Sequence, residues 1–293
     1  MGTLIGKAYH ILSGTADHTY VECGTGKVGW SCWGGKTGGD EIARGTGSTN
    51  QANAIAGANE RGGITCYAIN GVCHQAANRI LWPTRVLVSA ARGYWVSSSL
   101  YGTYGRENPN FFHVCEAPFD QHNGVTGDLP DCMEAMKLAA DSAYLSTRHF
   151  ELADRDISAE KAFAEAAMAL HTKTRSLAAA NNGEVQLSFQ QEHFSLQSRY
   201  RLGSLYGKDL GQTLNNLITD VEKERSELER AYAGKDLTLN DFADRFNELT
   251  VKFQDYMAET LAPEQYRAYF SLERTERVKL LDPDILVKMQ SAA

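Results

Sequence analysis

The sequence predicts an α+β protein, in which a small antiparallel sheet with a cysteine-bearing helix precedes an all-α helical bundle or long helical hairpin. Two uneven distributions along the 293 residues support this prediction. Residues 1–130 hold 21 of the 26 glycines, and residues 131–293 hold the whole net charge of −7, with 20 Lys and Arg against 27 Asp and Glu. We therefore expect an α+β domain over residues 1–130 and an acidic helical domain over residues 131–293.

The first elements of the chain read as short strands between glycine-rich turns. His18 opens a run, residues 18–23, that is followed by Gly24, Gly26 and Gly29 in the order G-x-G-x-x-G. A dinucleotide-binding turn needs a helix after these glycines, but residues 28–33 are aromatic and typical of a strand. The stretch therefore predicts a hairpin. Further short strands are expected at residues 8–12, 85–90 and 111–115, whereas the polar segments 38–40 and 44–48 predict loops.

One helix is strongly indicated in this half. Residues 74–81 carry apolar side chains at helical spacing, Asn70 and Gly71 form a turn before them, and Trp82-Pro83 ends the run. Cys73 then lies in the first turn, where free backbone N–H groups and the helix dipole favour a thiolate. Because the thiolate is the attacking species in thiol catalysis, the position predicts a nucleophile.

The second half reads as successive helices with identifiable ends. Helices are expected over residues 131–155, 158–180 and 185–233, the last with a break near residues 203–211. Thr238 with Asp241 opens another helix, and Pro263 suits the first turn of one more. Apolar stripes between charged residues indicate seams between packed helices, and the predicted boundary between the two halves is the loop-like segment 124–130.

Composition excludes several classes of function. An acidic chain without a basic stripe predicts no nucleic-acid partner, and no apolar run approaches the 18 residues of a transmembrane segment. The N-terminus lacks the features of a signal peptide, and six cysteines without a C-x-x-C pair indicate a reducing compartment. We expect a cytoplasmic protein, with secretion by a signal-less route still open. Neither His18 with Cys23 and Cys32 nor Cys73-His74 has standard metal-ligand spacing, so no metal or cofactor is expected.

A cysteine nucleophile needs an imidazole within hydrogen-bond reach, normally on a neighbouring strand. Two of the eight histidines stand in strand-like context. His18 begins the run His-Thr-Tyr-Val-Glu, and His113 lies in Phe-Phe-His-Val-Cys. His18 is the favoured base, with His113 as the alternative.

These residues resemble the papain-like superfamily of cysteine enzymes, either the permuted NlpC/P60-like branch or the transglutaminase-like branch. In the permuted branch the histidine strand precedes the cysteine helix, which is the order of His18 and Cys73. In the transglutaminase-like branch the order is cysteine, histidine, acid, which Cys73, His113 and Asp128 follow. Asn70 and Gln75 are candidate oxyanion or orienting groups, although each is equally suited to a helix cap.

The resemblance implies a cysteine-dependent hydrolase or acyltransferase that acts on an amide, isopeptide or ester bond through a thioester. Its substrate would be a peptide, a protein or an acyl compound, and the helical half would restrict access or recruit a partner protein. The alternative is a non-enzymatic interaction protein, with a β-rich binding domain and an acidic helical spacer.

Overall fold

The computed structural model describes residues 1–23, 29–30, 37–60, 67–106, 157–177 and 182–292. Within these ranges the chain is α+β, as predicted. Its strands are β1 Gly2–Ile11, β2 Ala16–Cys23, β3 Gly29–Trp30 and β4 Asp40–Gly47. All are antiparallel, in the spatial order β3-β2-β1-β4.

The predicted hairpin is confirmed in its strands, because β2 pairs antiparallel with β3 through Val21 and Trp30. The turn between them lies outside the described residues. In the pairing of β1 with β2, Ala8 lies opposite Thr19 and Tyr9 lies opposite His18. Since side chains alternate between the two faces of a sheet, Thr19 and His18 belong to opposite faces.

Two local predictions were wrong. Residues 38–40 and 44–48 were expected to be loops, but Asp40–Gly47 form β4, which pairs with β1. Gly45 obscures the strand pattern, and it is required there because a Cβ would lie 2.6 Å from Cβ of Thr84. Residues 85–90 form no strand. Arg85 has a left-handed φ of 58°, and the N–H of Val88 donates to the side-chain oxygen of Asn78 (2.9 Å) instead of to a neighbouring strand.

Three helices accompany the sheet: α1 Thr49–Glu60, α2 Cys73–Ile80 and α3 Tyr94–Tyr101. Every residue of α2 is buried, and this helix packs against β2. The predicted helix start is confirmed, since α2 begins at Cys73 after an extended Val72. The predicted strand at residues 111–115 lies outside the described residues.

The remaining described helices match most of the predicted boundaries. They are α4 Ile157–Leu177, α5 Asn182–Leu202, α6 Lys208–Ala233, α7 Leu239–Thr260, α8 Pro263–Phe270 and α9 Pro283–Ala292. The predicted break falls between α5 and α6, the hydroxyl of Thr238 accepts the N–H of Asp241 (3.1 Å), and Pro263 is the first residue of α8. The helix predicted over residues 131–155 lies outside the described residues.

One apolar core joins elements from both ends of the chain. Trp95 in α3 contacts Phe163 in α4 at 6.0 Å between ring centroids, and its backbone carbonyl accepts from the amide of Gln197 in α5 (3.1 Å). The proposed domain boundary near residue 130 lies outside the described residues. None of the helices in the described part of the chain is long and apolar enough to cross a membrane.

Candidate functional site

Cys73 lies where the start of α2 meets the edge of β2. Its side chain is buried, with 6% exposed, and its Sγ donates to the backbone carbonyl of Asp17 (3.7 Å). The backbone N–H of Thr19 also lies near the sulfur. The thiol therefore contacts the two residues that flank His18 in the strand.

Burial decides the protonation state of this thiol. Desolvation raises the pKa of Cys73 from 9.0 to about 11, against the opposing hydrogen bonds from Thr19 and the backbone of His74. A helix N-terminus typically contributes only ~0.3–1 kcal/mol to a nearby anion, which is too little to offset this burial. The expectation of a resting thiolate at the helix start is wrong, and Cys73 is a neutral thiol at pH 7.

His74 lies beside Cys73 with both ring nitrogens bonded. Its Nε2 is 3.1 Å from the carbonyl oxygen of Asp17, which can only accept, so Nε2 carries the proton. Nδ1 then accepts from the hydroxyl of Ser97 at 2.8 Å. Burial lowers the pKa of His74 to about 4, and the ring is therefore neutral at pH 7.

These bonds protect an otherwise open strand edge. At Asp17, the backbone groups of β2 point away from β1. The carbonyl accepts from Cys73 and His74, and the N–H donates to the carbonyl of Arg92 (3.1 Å). An unpaired edge would leave these groups unsatisfied in the interior. The start of α2 thus continues the hydrogen bonding of the sheet.

His18 is fully buried in β2, and its ring contacts Tyr9 at 5.1 Å between centroids. Alternation along β2 places the imidazole on the face opposite the side chains of Asp17 and Thr19. The structure therefore brings the backbone on both sides of His18 to the sulfur of Cys73 and directs the ring to the other face of the sheet. The alternative base His113 and its acid Asp128 lie outside the described residues.

The two candidate orienting amides are placed differently. Gln75 accepts the N–H of Val72 through Oε1 (3.1 Å), and its Nε2 lies 3.2 Å from both the hydroxyl of Ser97 and the carbonyl of Gly102. Its side chain thus caps α2 and holds a loop. Asn70 is half-buried in the turn before α2, and its backbone carbonyl accepts the N–H of Arg106 (2.8 Å).

Asp17 is the residue of this site that sequence reasoning missed. Its buried carboxylate lies 2.5 Å from Nδ1 of the exposed His10 and accepts the backbone N–H of Arg92 (2.8 Å). Together with its carbonyl contacts, it joins β1, α2 and the segment before α3. The sequence offers no clear signal for it, because β2 also carries His18, Thr19 and Glu22, and only the fold shows that the Asp17 carboxylate is buried and paired.

Tyr67 was also missed, and it connects this site to the far end of the chain. It is buried near Cys73, and burial together with the proximity of Cys73 raises the pKa of its phenol well above 10.0. Its hydroxyl donates to the carbonyl of Leu280 (3.3 Å) and accepts the N–H of Asp282 (3.0 Å). Residues that follow α8 thus reach the surroundings of the candidate nucleophile.

A buried loop after α3, residues 102–106, is fixed from two sides. From α2, Asn78 donates to the carbonyl of Thr103 (2.7 Å) and Arg79 donates to that of Arg106 (2.9 Å). From α5, Nε2 of His193 accepts the N–H of Thr103 (2.9 Å), which requires an unprotonated Nε2. Burial lowers the pKa of His193 to about 3, consistent with that state.

Comparisons with known proteins identify no relative. No family model, no curated protein and no solved structure matches the chain. Within the described residues, moreover, His, Cys, Asp and Glu form no group of three or more that could hold a metal ion.

Proposed function

We propose that the protein is a cysteine-dependent hydrolase or acyltransferase of the papain-like type, with Cys73 as its nucleophile. One observation carries the proposal: Cys73 is the first residue of a buried helix, and its sulfur lies against the strand that bears His18. A cysteine at the start of a helix that packs on an antiparallel sheet is the arrangement on which the resemblance rests.

The reaction proposed begins from a neutral thiol. The Cys73 sulfur attacks the carbonyl carbon of an amide, isopeptide or ester, while the S–H proton passes to an imidazole. The imidazolium then protonates the leaving amine or alcohol, and a thioester remains on Cys73. Water releases a free acid, or a second amine accepts the acyl group, and the thiol is restored. We assign the oxyanion to backbone N–H groups in the first turn of α2.

His18 remains the proposed base, with His113 and Asp128 as the alternative. His18 has the advantage that its neighbours Asp17 and Thr19 touch the thiol. Because the buried His18 side chain lies on the face opposite the side chains of Asp17 and Thr19, β2 must rearrange at this edge before the imidazole can accept the proton. A peptide, a protein or an acyl compound would be the substrate, in a reducing compartment such as the cytoplasm.

The test is covalent labelling with a thiol-directed acyl or Michael electrophile at pH 7. The wild-type protein should be labelled at Cys73, and Cys73→Ala should lose that label. Cys23→Ala is the matched control, because Cys23 is the other free cysteine of the described residues and is partly exposed. Label that stays undiminished in Cys73→Ala would reject the proposal. His18→Gln and His113→Gln then identify the base by their loss of labelling rate.

A second function is favoured by the state of the thiol itself. A buried cysteine with a pKa of about 11, beside a glutamine engaged in capping, suits a structural residue of an interaction protein. Its binding surface would include the open groove of about 610 Å³ between α6 and α7, which is lined by Glu224, Glu227, Leu228, Ala231, Arg245, Glu248, Leu249 and Lys252. Titration of the Cys73 thiol together with the labelling experiment distinguishes the two functions, because a thiol that keeps a pKa near 11 and takes no electrophilic label favours binding.

A further inference from the structure

The segment between α8 and α9 is held in an unusual way. Residues 276–282, which we call the strap, have no helical or strand structure, yet Val278, Leu280 and Leu281 are buried. A buried irregular segment must find partners for its backbone groups. For Val278, Leu280 and Leu281 these partners are side chains.

Two amides of α7 bind the strap backbone. Gln254 accepts the N–H of Val278 (2.9 Å) and donates to its carbonyl (2.8 Å). Asn247 accepts the N–H groups of Leu280 (3.0 Å) and Leu281 (2.9 Å) and donates to the carbonyl of Leu281 (2.9 Å). The two amides are seven residues apart, so they lie on the same face of α7, two turns from each other. That face forms one side of a channel for extended chain.

On its other side, the strap contacts residues that surround Cys73. Tyr67, which lies close enough to Cys73 for the thiol to raise the pKa of its phenol, bonds the strap at Leu280 and Asp282. At the other end Arg92, whose backbone N–H binds Asp17, forms an ion pair with Glu276 (2.8 Å). The strap is thus tied on both sides of the start of α2.

Between these ties the strap packs against Gly93, which lies close to the start of α2. A Cβ placed on Gly93 would lie 2.7 Å from Cγ1 of Val278, 3.8 Å from Cβ of Ala16 and 3.8 Å from Cε1 of His74. Gly93 therefore lies between the strap, the imidazole adjacent to Cys73 and the beginning of β2. Gly93, with a φ of +85°, leaves the space that this contact occupies.

We propose that the strap is an autoinhibitory element that covers Cys73, and that its release exposes the thiol. The inference rests on the proposed function for its meaning, since only a reactive cysteine would need to be covered. The structural part of the proposal does not depend on that function. Whether or not Cys73 is catalytic, opening of the strap should control the access of reagents to its sulfur. Two partly exposed ion pairs, Arg92–Glu276 and Arg277–Asp255, and side-chain hydrogen bonds hold the strap, and because Leu280 and its neighbours are buried, its release is a local unfolding of this segment.

The test compares Tyr67→Phe with Tyr269→Phe. Tyr67→Phe removes two strap bonds, whereas Tyr269→Phe removes a buried hydroxyl that contacts Ser198 (3.3 Å) and Ser99 (3.5 Å), none of them in the strap. Alkylation by iodoacetamide under native conditions is followed at Cys73 by mass spectrometry, with stability measured by urea unfolding. The loss of two ordinary hydrogen bonds should raise the Cys73 alkylation rate about tenfold in Tyr67→Phe. The rate in Tyr269→Phe should stay within about twofold of wild type.

Equal rate increases in both variants that follow urea stability, or no increase in Tyr67→Phe, would overturn the strap proposal. Glu276→Gln provides a second measurement, with a smaller increase of about twofold expected because that ion pair is partly exposed. Alkylation requires only access to the sulfur. If the alkylation rate of Cys73 rises in Tyr67→Phe but Cys73 does not react with acyl electrophiles in that variant, the proposed enzyme is rejected and the strap proposal stands.

Discussion

Replacing Arg225 by Met should destabilise the protein by about 3–5 kcal/mol, the typical cost of removing one partner from a buried ion pair. Arg225 in α6 is 1% exposed and donates to Glu222 and to the backbone carbonyl of Leu100. Its Nε lies 3.8 Å from Glu229, which also pairs with Arg106 at 2.7 Å. The four side chains are electrically balanced, and the substitution leaves two buried carboxylates with one cation.

The loss of stability in Arg225→Met should depend on pH. Burial already raises the pKa of Glu229 above 4.5 in the wild type, against the attraction of Arg106 and Arg225. Loss of Arg225 removes one attraction and raises that pKa further. A carboxyl group with a raised pKa in the folded state binds a proton on folding, so the stability of the variant improves as the pH falls toward that pKa. The deficit of Arg225→Met should be larger at pH 8 than at pH 5.

Urea unfolding followed by tryptophan fluorescence and by far-ultraviolet circular dichroism measures the effect. Coincident transitions by both signals, with an unchanged dependence on urea, are needed to compare free energies of unfolding. The double variant Arg225→Met, Glu222→Leu restores charge balance and should be less destabilised than Arg225→Met alone. A loss below about 1 kcal/mol in the single variant, or a larger loss in the double variant, would refute this account of the cluster.

Two further predictions concern the loop and the strap. By urea unfolding, Gly105→Ala should lose several kcal/mol more stability than Gly14→Ala. Both glycines have a positive φ (+86° and +83°), which costs an alanine ~1–2 kcal/mol. At Gly105, in addition, a Cβ would lie 2.4 Å from the backbone oxygen of Asn70. Equal losses of stability in the two variants would contradict the predicted clash at Gly105. Arg92 holds the pKa of Glu276 below 4.5, so its contribution is present above pH 4.5 and lost as the pH falls through the folded value. The difference in urea midpoint between wild type and Glu276→Gln should therefore close on acidification, and a constant difference would argue against the ion pair.

Much of the fold is predictable from short-range patterns. The start of α2 at Cys73, the break between α5 and α6, and the cap at Thr238 depend on residues three or four positions apart. Such interactions are visible in the sequence because both partners are near each other along the chain. The glycine-containing strand β4 was missed, since its partner β1 lies some 40 residues earlier, and pairing with it outweighs the weak local preference for strand.

The candidate site shows the same difference between local patterns and long-range contacts. The sequence by itself determined that a cysteine begins a helix and that a histidine lies in a strand before it. The tertiary structure decided that the thiol is neutral, because its environment comes from Asp17, 56 residues away, and from the buried surroundings of Tyr67. It also decided that Tyr67 bonds Leu280 across 213 residues. Desolvation depends on all the atoms packed around a group, and no local pattern in the chain encodes that sum.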